Sequence, residues 1–235
     1  MSLPVPRPAP LRLPILFIDA HLLVIDKPAG LAVHPGPSTP RSLDDHLWSL
    51  REGFVRNPQP VHRLDRDTSG CLVLARHPKA LKKLTQMFSA GLVGKTYWAV
   101  VDGAPDEDEG RIDAPLFKVS SAEAGWRMIV DPRGKASATR WRVVARDGAR
   151  SLVEFYPETG RTHQVRVHAA ALGCPILGDP VYGAGQGPMR LHARAVTVPY
   201  TAGAEAVQVV APPPEGWPLL PDAIPRPQSP PPPAA

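Results

Sequence analysis

Apolar residues in this chain come in short runs set between polar and turn-forming residues, and the runs have the length and make-up of strands. Cys71-Leu72-Val73-Leu74-Ala75, closed by Arg76-His77-Pro78, is apolar at every position and predicts a strand buried on both faces. Lys95–Val101 is rich in β-branched and aromatic residues and predicts another. Alternation along it sends Tyr97 and Trp98 to opposite faces, so that one ring belongs to the core and the other is available to a ligand. Thr139–Val144, Ser151–Tyr156, Ala195–Val198 and Ala206–Val210 extend the strand-rich pattern. Helices are few. Ser42 is placed to cap one running through Leu50, and Pro78–Ala90 reads as a second with Lys79, Lys82 and Lys83 on its polar side. A third, of about three turns, starts from Thr162 as N-cap and ends with Gly173 at the C′ position. The pattern implies an α+β body around a mixed or antiparallel sheet, without internal repeats.

Two charged stretches interrupt this pattern. His62-Arg63-Leu64-Asp65-Arg66-Asp67-Thr68-Ser69-Gly70 runs directly into the buried strand, so its ionisable groups stand at the mouth of the core. An unpaired charge there is expensive, and such groups are paired or used; a solvated turn is the alternative for the stretch taken alone. In Glu158–His168, Arg161 falls at the predicted helix start and Arg166 one turn in. The macrodipole disfavours cations at that end, which points to a carboxylate or phosphate partner that arginine can grip in a fork. Stray surface arginines are the plain alternative.

These stretches, in this order, resemble the pseudouridine synthases of the large-subunit rRNA and tRNA branch, the RluA-like family. Leu23–Gly36, with Asp26-Lys27-Pro28-Ala29-Gly30, looks like the family's first motif, and Cys174–Gly183 and Met189–Ala193 look like its closing ones. The resemblance runs from about Ile15 to about Val210. It implies the pseudouridine synthase fold, with an active cleft across the central sheet, and isomerisation of uridine in RNA to its C-glycoside. By residue, Asp65 matches the family's catalytic aspartate, Arg166 the arginine that pairs with it, and Tyr97 the tyrosine that stacks on the target base. Arg63 matches an arginine that enters the RNA stack where the flipped base has left, and Leu191 an apolar support beneath the base. Arg161 is a further candidate for RNA contact. Cys71 stands where similar enzymes carry a larger aliphatic residue, and Asp102–Gly134 matches nothing in the family pattern.

The chemistry asks for these residue types independently. Breaking an N-glycosidic bond, turning the base and rejoining it through carbon needs a carboxylate acting as nucleophile, base or both. A forked arginine favours its ionised form, and an aromatic ring under the extruded base returns about 1–3 kcal/mol of stacking. A glycosidic hydrolase would want a second carboxylate, for which Asp67 is the nearby candidate and is expected to face outward. A noncatalytic RNA-binding relative of the same fold is the other alternative, and the presence of both Asp65 and Arg166 argues against it.

Composition adds a modest electrostatic bias. With 27 Lys plus Arg against 22 Asp plus Glu, the net charge is +5, which suits a polyanion; that the polyanion is a tRNA or 23S rRNA stem-loop is what the resemblance implies. The acidic segment Asp102–Glu109 is expected to turn away from it. Five of the first 14 residues are proline and 11 more lie between Pro212 and Pro233, which divides the chain into a tail over 1–12, a catalytic body over 13–217 and a tail over 218–235. With about a dozen residues before the first motif, an S4-type RNA-binding module is not expected there. Two scattered cysteines, no membrane-length apolar run and no signal-peptide core lead to a reduced, cytoplasmic protein, expected to be a monomer. The histidines share no metal-ligand spacing, and neither metal nor cofactor is expected.

Overall fold

The computed structural model describes residues 9–36, 39–121 and 125–221. The outer parts of both proline-rich tails, 1–8 and 222–235, lie outside the described residues. In chain order the elements are β1 (Ile15–Ile18), β2 (Leu22–Lys27), a 3-10 helix (Leu43–Leu50), β3 (Gln59–Pro60), β4 (Ser69–Ala75), α1 (Pro78–Ser89), β5 (Gly94–Asp102) and β6 (Glu109–Asp113). There follow β7 (Leu116–Ser121), β8 (Gly125–Val130), β9 (Ala138–Asp147), β10 (Arg150–Pro157), α2 (Gln164–Ala171), β11 (Leu191–Val198) and β12 (Val207–Val210).

Ten strands make one sheet in the order β1-β2-β4-β11-β5-β10-β9-β6, with β12 added to β11 and β3 to β4. The sheet is mixed: β4 and β11 run parallel over Ser69/His192 and Gly70/Ala193, and the other pairs are antiparallel. Glycine makes that join possible. Gly70 has φ +104°, and a Cβ there would lie 2.3 Å from the Ala193 carbonyl oxygen. Beside it, Ser69 Oγ and His192 Nδ1 are 2.9 Å apart and hydrogen bonded.

Strand β4 is apolar at successive positions because both of its faces are covered. Cys71, Val73 and Ala75 pack with Ala80, Leu84 and Met87 of α1, while Leu72 and Leu74 pack with Leu43, Leu47 and Leu50 of the 3-10 helix. At about 1.5–3 kcal/mol for each large side chain buried, these two layers anchor the first half of the sheet. In the second half, Ala99, Val101, Val153 and Phe155 meet Val165 and Ala169 of α2, and Trp98, Val100 and Leu152 meet Trp217 on the opposite face. Leu219 joins the Trp98 cluster, so the packed body continues past the Trp217 boundary drawn from the sequence.

Three local expectations change. The segment after Ser42 is wound more tightly than an α-helix, its first turn closing with the Asp45 N–H on the Ser42 carbonyl three residues back. Asp102–Gly134, blank in the sequence, supplies β6 at a sheet edge and the separate β7–β8 hairpin, whose Leu116 and Met128 pack with Val167 of α2 and with Tyr182. The third helix starts later than expected and is shorter, for reasons that belong to the site. Among the described residues, no helix is long and apolar enough to cross a membrane.

Candidate active site

A cavity of about 430 Å³ opens at the middle of the sheet. The loop entering β4 brings Arg63 and Asp65 to it, β5 brings Tyr97, the approach to α2 brings Arg161, α2 itself brings Arg166, and the first residue of β11 is Leu191. All six residues singled out from the sequence therefore line one cavity. None of Asp102–Glu109 does, and Asp67 is turned to a surface pair with Arg66, its Oδ1 accepting from Arg66 Nε at 3.0 Å.

Arg166 is the hub. Its Nη1 donates to Asp65 Oδ2 at 3.1 Å, but the forked grip expected on Asp65 goes elsewhere: Nε and Nη2 donate to Asp179 Oδ2 and Oδ1 at 2.7 and 2.8 Å. Asp179 is fully buried, and its Oδ1 also accepts from the backbone N–H groups of Val181 and Tyr182. Burial works against its charge, yet the Arg166 fork and these N–H groups hold its carboxyl below the ordinary aspartate range. Arg166, buried as well, keeps its proton more firmly than usual because both carboxylates outweigh its loss of solvent. Asp65, with its side chain 20% exposed, receives one bond from a guanidinium already fixed on its other edge.

The approach to α2 explains the shortened helix. Gln164 turns its side chain back, Oε1 accepting from the Arg161 N–H and Thr159 Oγ1 while Nε2 donates to Ala138 O and Thr139 Oγ1. His163, not Thr162, becomes the N-cap and takes the left-handed conformation at φ 55°, ψ 18°. Arg161 is thereby left three residues before the helix, exposed, with Nε donating to Ala136 O. Gly173, at φ +78°, follows the last turn as expected.

Of the aromatic pair on β5, Trp98 is the core residue, fully buried with Nε1 donating to Glu154 Oε1 at 2.9 Å. Tyr97 is the one that reaches the cavity. Surrounding protein and then the Asp65 charge raise its phenol pKa, so it stays protonated.

Several participants carried no role in the sequence reading. Lys27, inaccessible to solvent, donates to the carbonyls of Pro28, Leu31 and Arg66 and so pins the Asp65 loop from below. Burial lowers its pKa to about 8 against the pull of Asp67, Asp65 and Asp26. Lys95 on the cavity wall donates to Thr159 O and is likewise lowered by burial to about 8. Asp179 and Tyr182 stand in the quoted Cys174–Gly183 motif. An aspartate between the apolar pair Ile176-Leu177 and a proline was the available signal.

Residues 21–171 match the model of the RNA pseudouridylate synthase family. The chain belongs to that family. An uncharacterised RNA pseudouridine synthase of Zymomonas mobilis is 52% identical over 189 residues, covering 78% of this chain and 86% of the relative. Ribosomal large subunit pseudouridine synthase D of the same organism is 40% identical over 195 residues, covering 78% of this chain but only 61% of that longer protein. Among solved structures, human RNA pseudouridylate synthase domain containing 4 superimposes with a TM-score of 0.73 at 27% identity, over 86% of this chain and 89% of that one. The protein is thus an RNA pseudouridine synthase, an isomerase, with the fold of that family.

Proposed function

We propose that Asp65 is the catalytic carboxylate, that Arg166 holds it, and that Tyr97 stacks on the uracil of a uridine flipped out of a tRNA or 23S rRNA stem-loop. The observation that carries this reading is the asymmetric grip on Arg166. One edge of its guanidinium is locked to the wholly buried Asp179, so the remaining N–H meets Asp65 with little freedom to swing away. In the reaction the N1–C1′ bond breaks, the base turns, and a C5–C1′ bond forms. The C5 hydrogen leaves to solvent as a proton, and N1 gains one. Asp65 supplies the nucleophile or base, Leu191 supports the base, and Arg63 fills the gap in the RNA stack. Arg161, exposed beside the cavity, contacts phosphate. The name of the ribosomal relative supports a large-subunit rRNA target, and the net charge of +5 suits either RNA. The packed body, which includes Leu219, carries substrate choice, and the protein acts in the cytoplasm as a monomer without metal or cofactor.

Tritium release from [5-³H]uridine RNA tests the chemistry. Asp65→Asn, nearly the same in shape, is expected to abolish release while RNA binding and folding persist. Turnover near that of the unaltered protein would remove Asp65 from its role. Mapping pseudouridines by carbodiimide-dependent reverse-transcription stops, in RNA from a deletion strain and its parent, identifies the target.

A further inference from the structure

His163 is oriented more tightly than a helix cap requires. Its Nδ1 lies 2.9 Å from Tyr182 Oη, and its ring is stacked on Trp126 of β8 at 4.9 Å between centroids. Its Nε2 faces Asp65 Oδ2 at 3.9 Å. To reach this place the backbone adopts φ 55°, a conformation that costs a non-glycine residue of this size free energy and persists where the surroundings impose it.

The hydrogen-bond partners favour one tautomer. Tyr182 Oη accepts from the Met128 N–H at 3.0 Å, which leaves its own hydrogen free to donate to His163 Nδ1. The imidazole is neutral, because burial lowers its pKa and the neighbouring charges, Asp65 and Asp179 against Arg166 and Arg63, do not restore it. A neutral ring that accepts at Nδ1 carries its hydrogen on Nε2, the atom facing Asp65. Arg166 Nη1 reaches the same oxygen, Oδ2. Two donors on one carboxylate oxygen would fix the plane of the group and leave Oδ1 for the substrate. At 3.9 Å the histidine contact is open, and such contacts tighten when substrate fills the site.

From this geometry we propose that His163 is a positioning residue for Asp65: held as the Nε2–H tautomer by Tyr182 and clamped by Trp126, it closes onto Asp65 Oδ2 when RNA binds and aims the carboxylate. The proposal rests on the assignment of Asp65 as the catalytic carboxylate. Two substitutions separate it from a purely structural role. The amide nitrogen of His163→Gln falls near the place of Nε2 and can donate to Asp65. His163→Asn mimics the Nδ1 side, cannot reach Asp65, and tolerates the left-handed backbone better than histidine. Single-turnover tritium release on the full chain is expected to show His163→Asn slowed roughly thirtyfold, as for loss of one charge-assisted hydrogen bond. Its steady-state KM for RNA should be unchanged and its melting temperature should not fall, and His163→Gln should recover much of the rate. A normal rate for His163→Asn, equal rates for the two variants, or a change confined to KM would each overturn the proposal. Asp65→Asn is run alongside: if it turns over normally the parent reading fails, whereas if it is dead and the His163 variants are fast only this inference fails.

Discussion

Replacing Asp179 by Asn tests whether the grip on Arg166 comes from a buried ion pair. The exchange preserves shape and opens no cavity, but it removes a charge from a site without solvent contact and leaves the Arg166 guanidinium, itself 6% exposed, without its forked partner. A single amide oxygen cannot satisfy every donor. If it stays with Val181 N–H, Tyr182 N–H and Arg166 Nη2, the new NH₂ group faces Arg166 Nε across the 2.7 Å now occupied by a hydrogen bond. Breaking a buried pair by removing one partner costs about 3–5 kcal/mol. For a chain of this length that corresponds to a fall in Tm of about 6–20 °C. The pH dependence has a definite sign. Asp179 is held below its ordinary pKa in the folded state, so its contribution is complete above about pH 4, near the unfolded value, and is lost as pH falls through the folded one. The gap between wild type and variant, followed by circular dichroism, should therefore be widest near neutrality and narrow below about pH 4. Tritium release should fall too, since Arg166 is free to leave Asp65. A variant melting within about 2 °C of wild type at pH 7 would show that the pair contributes under about 1 kcal/mol and that something else fixes Arg166.

Gly70→Ala would place a methyl carbon 2.3 Å from the Ala193 carbonyl oxygen on a backbone at φ +104°, and is expected to yield insoluble protein or a Tm lowered by more than 10 °C, roughly 3 kcal/mol or more; normal melting would mean that β11 does not pass so close. Lys27→Met keeps the side-chain length but strands three carbonyls, one of them on the Asp65 loop, so both Tm and kcat should drop, by about 2–3 kcal/mol in stability. Unchanged kcat in that variant would separate Lys27 from the placement of Asp65.

What the sequence made legible, and what it hid, divides along the range of the interactions. The all-apolar run at Cys71–Ala75 announces a doubly covered strand because burial on both faces is a local compositional fact, and the alternation at Tyr97-Trp98 separates a core ring from a cavity ring for the same reason. The six candidate residues were found from motifs and share one cavity. The fork of Arg166, by contrast, depends on a loop thirteen residues later folding back with two backbone N–H groups already aimed at Asp179, which no periodicity encodes. The start of α2 differs because Thr162 has the chemistry of a cap, while Gln164, by binding Thr159 and Arg161 in the preceding turn and Ala138 and Thr139 of β9, draws the chain into a left-handed step at His163. The β7–β8 hairpin escaped notice because it packs on α2 and Tyr182 and not on the sheet.

The order of strands has a consequence for how the molecule is made. β11, which follows every strand but β12 in the order of the described elements, lies in the middle of the sheet, between the much earlier β4 and β5. Until Leu191–Val198 has emerged, the Ser69–Gly70 end of one β4 edge, which β3 leaves uncovered, and one edge of β5 have no neighbour, the contact of Ser69 with His192 cannot close, and the half of the sheet that carries Asp65 is not joined to the half beside Arg166. Such long-range closure slows folding, and open apolar edges invite pairing with other chains. A nascent or truncated chain ending before Leu191 should therefore be a client for chaperones, and joining the halves of the sheet coincides with assembling the site.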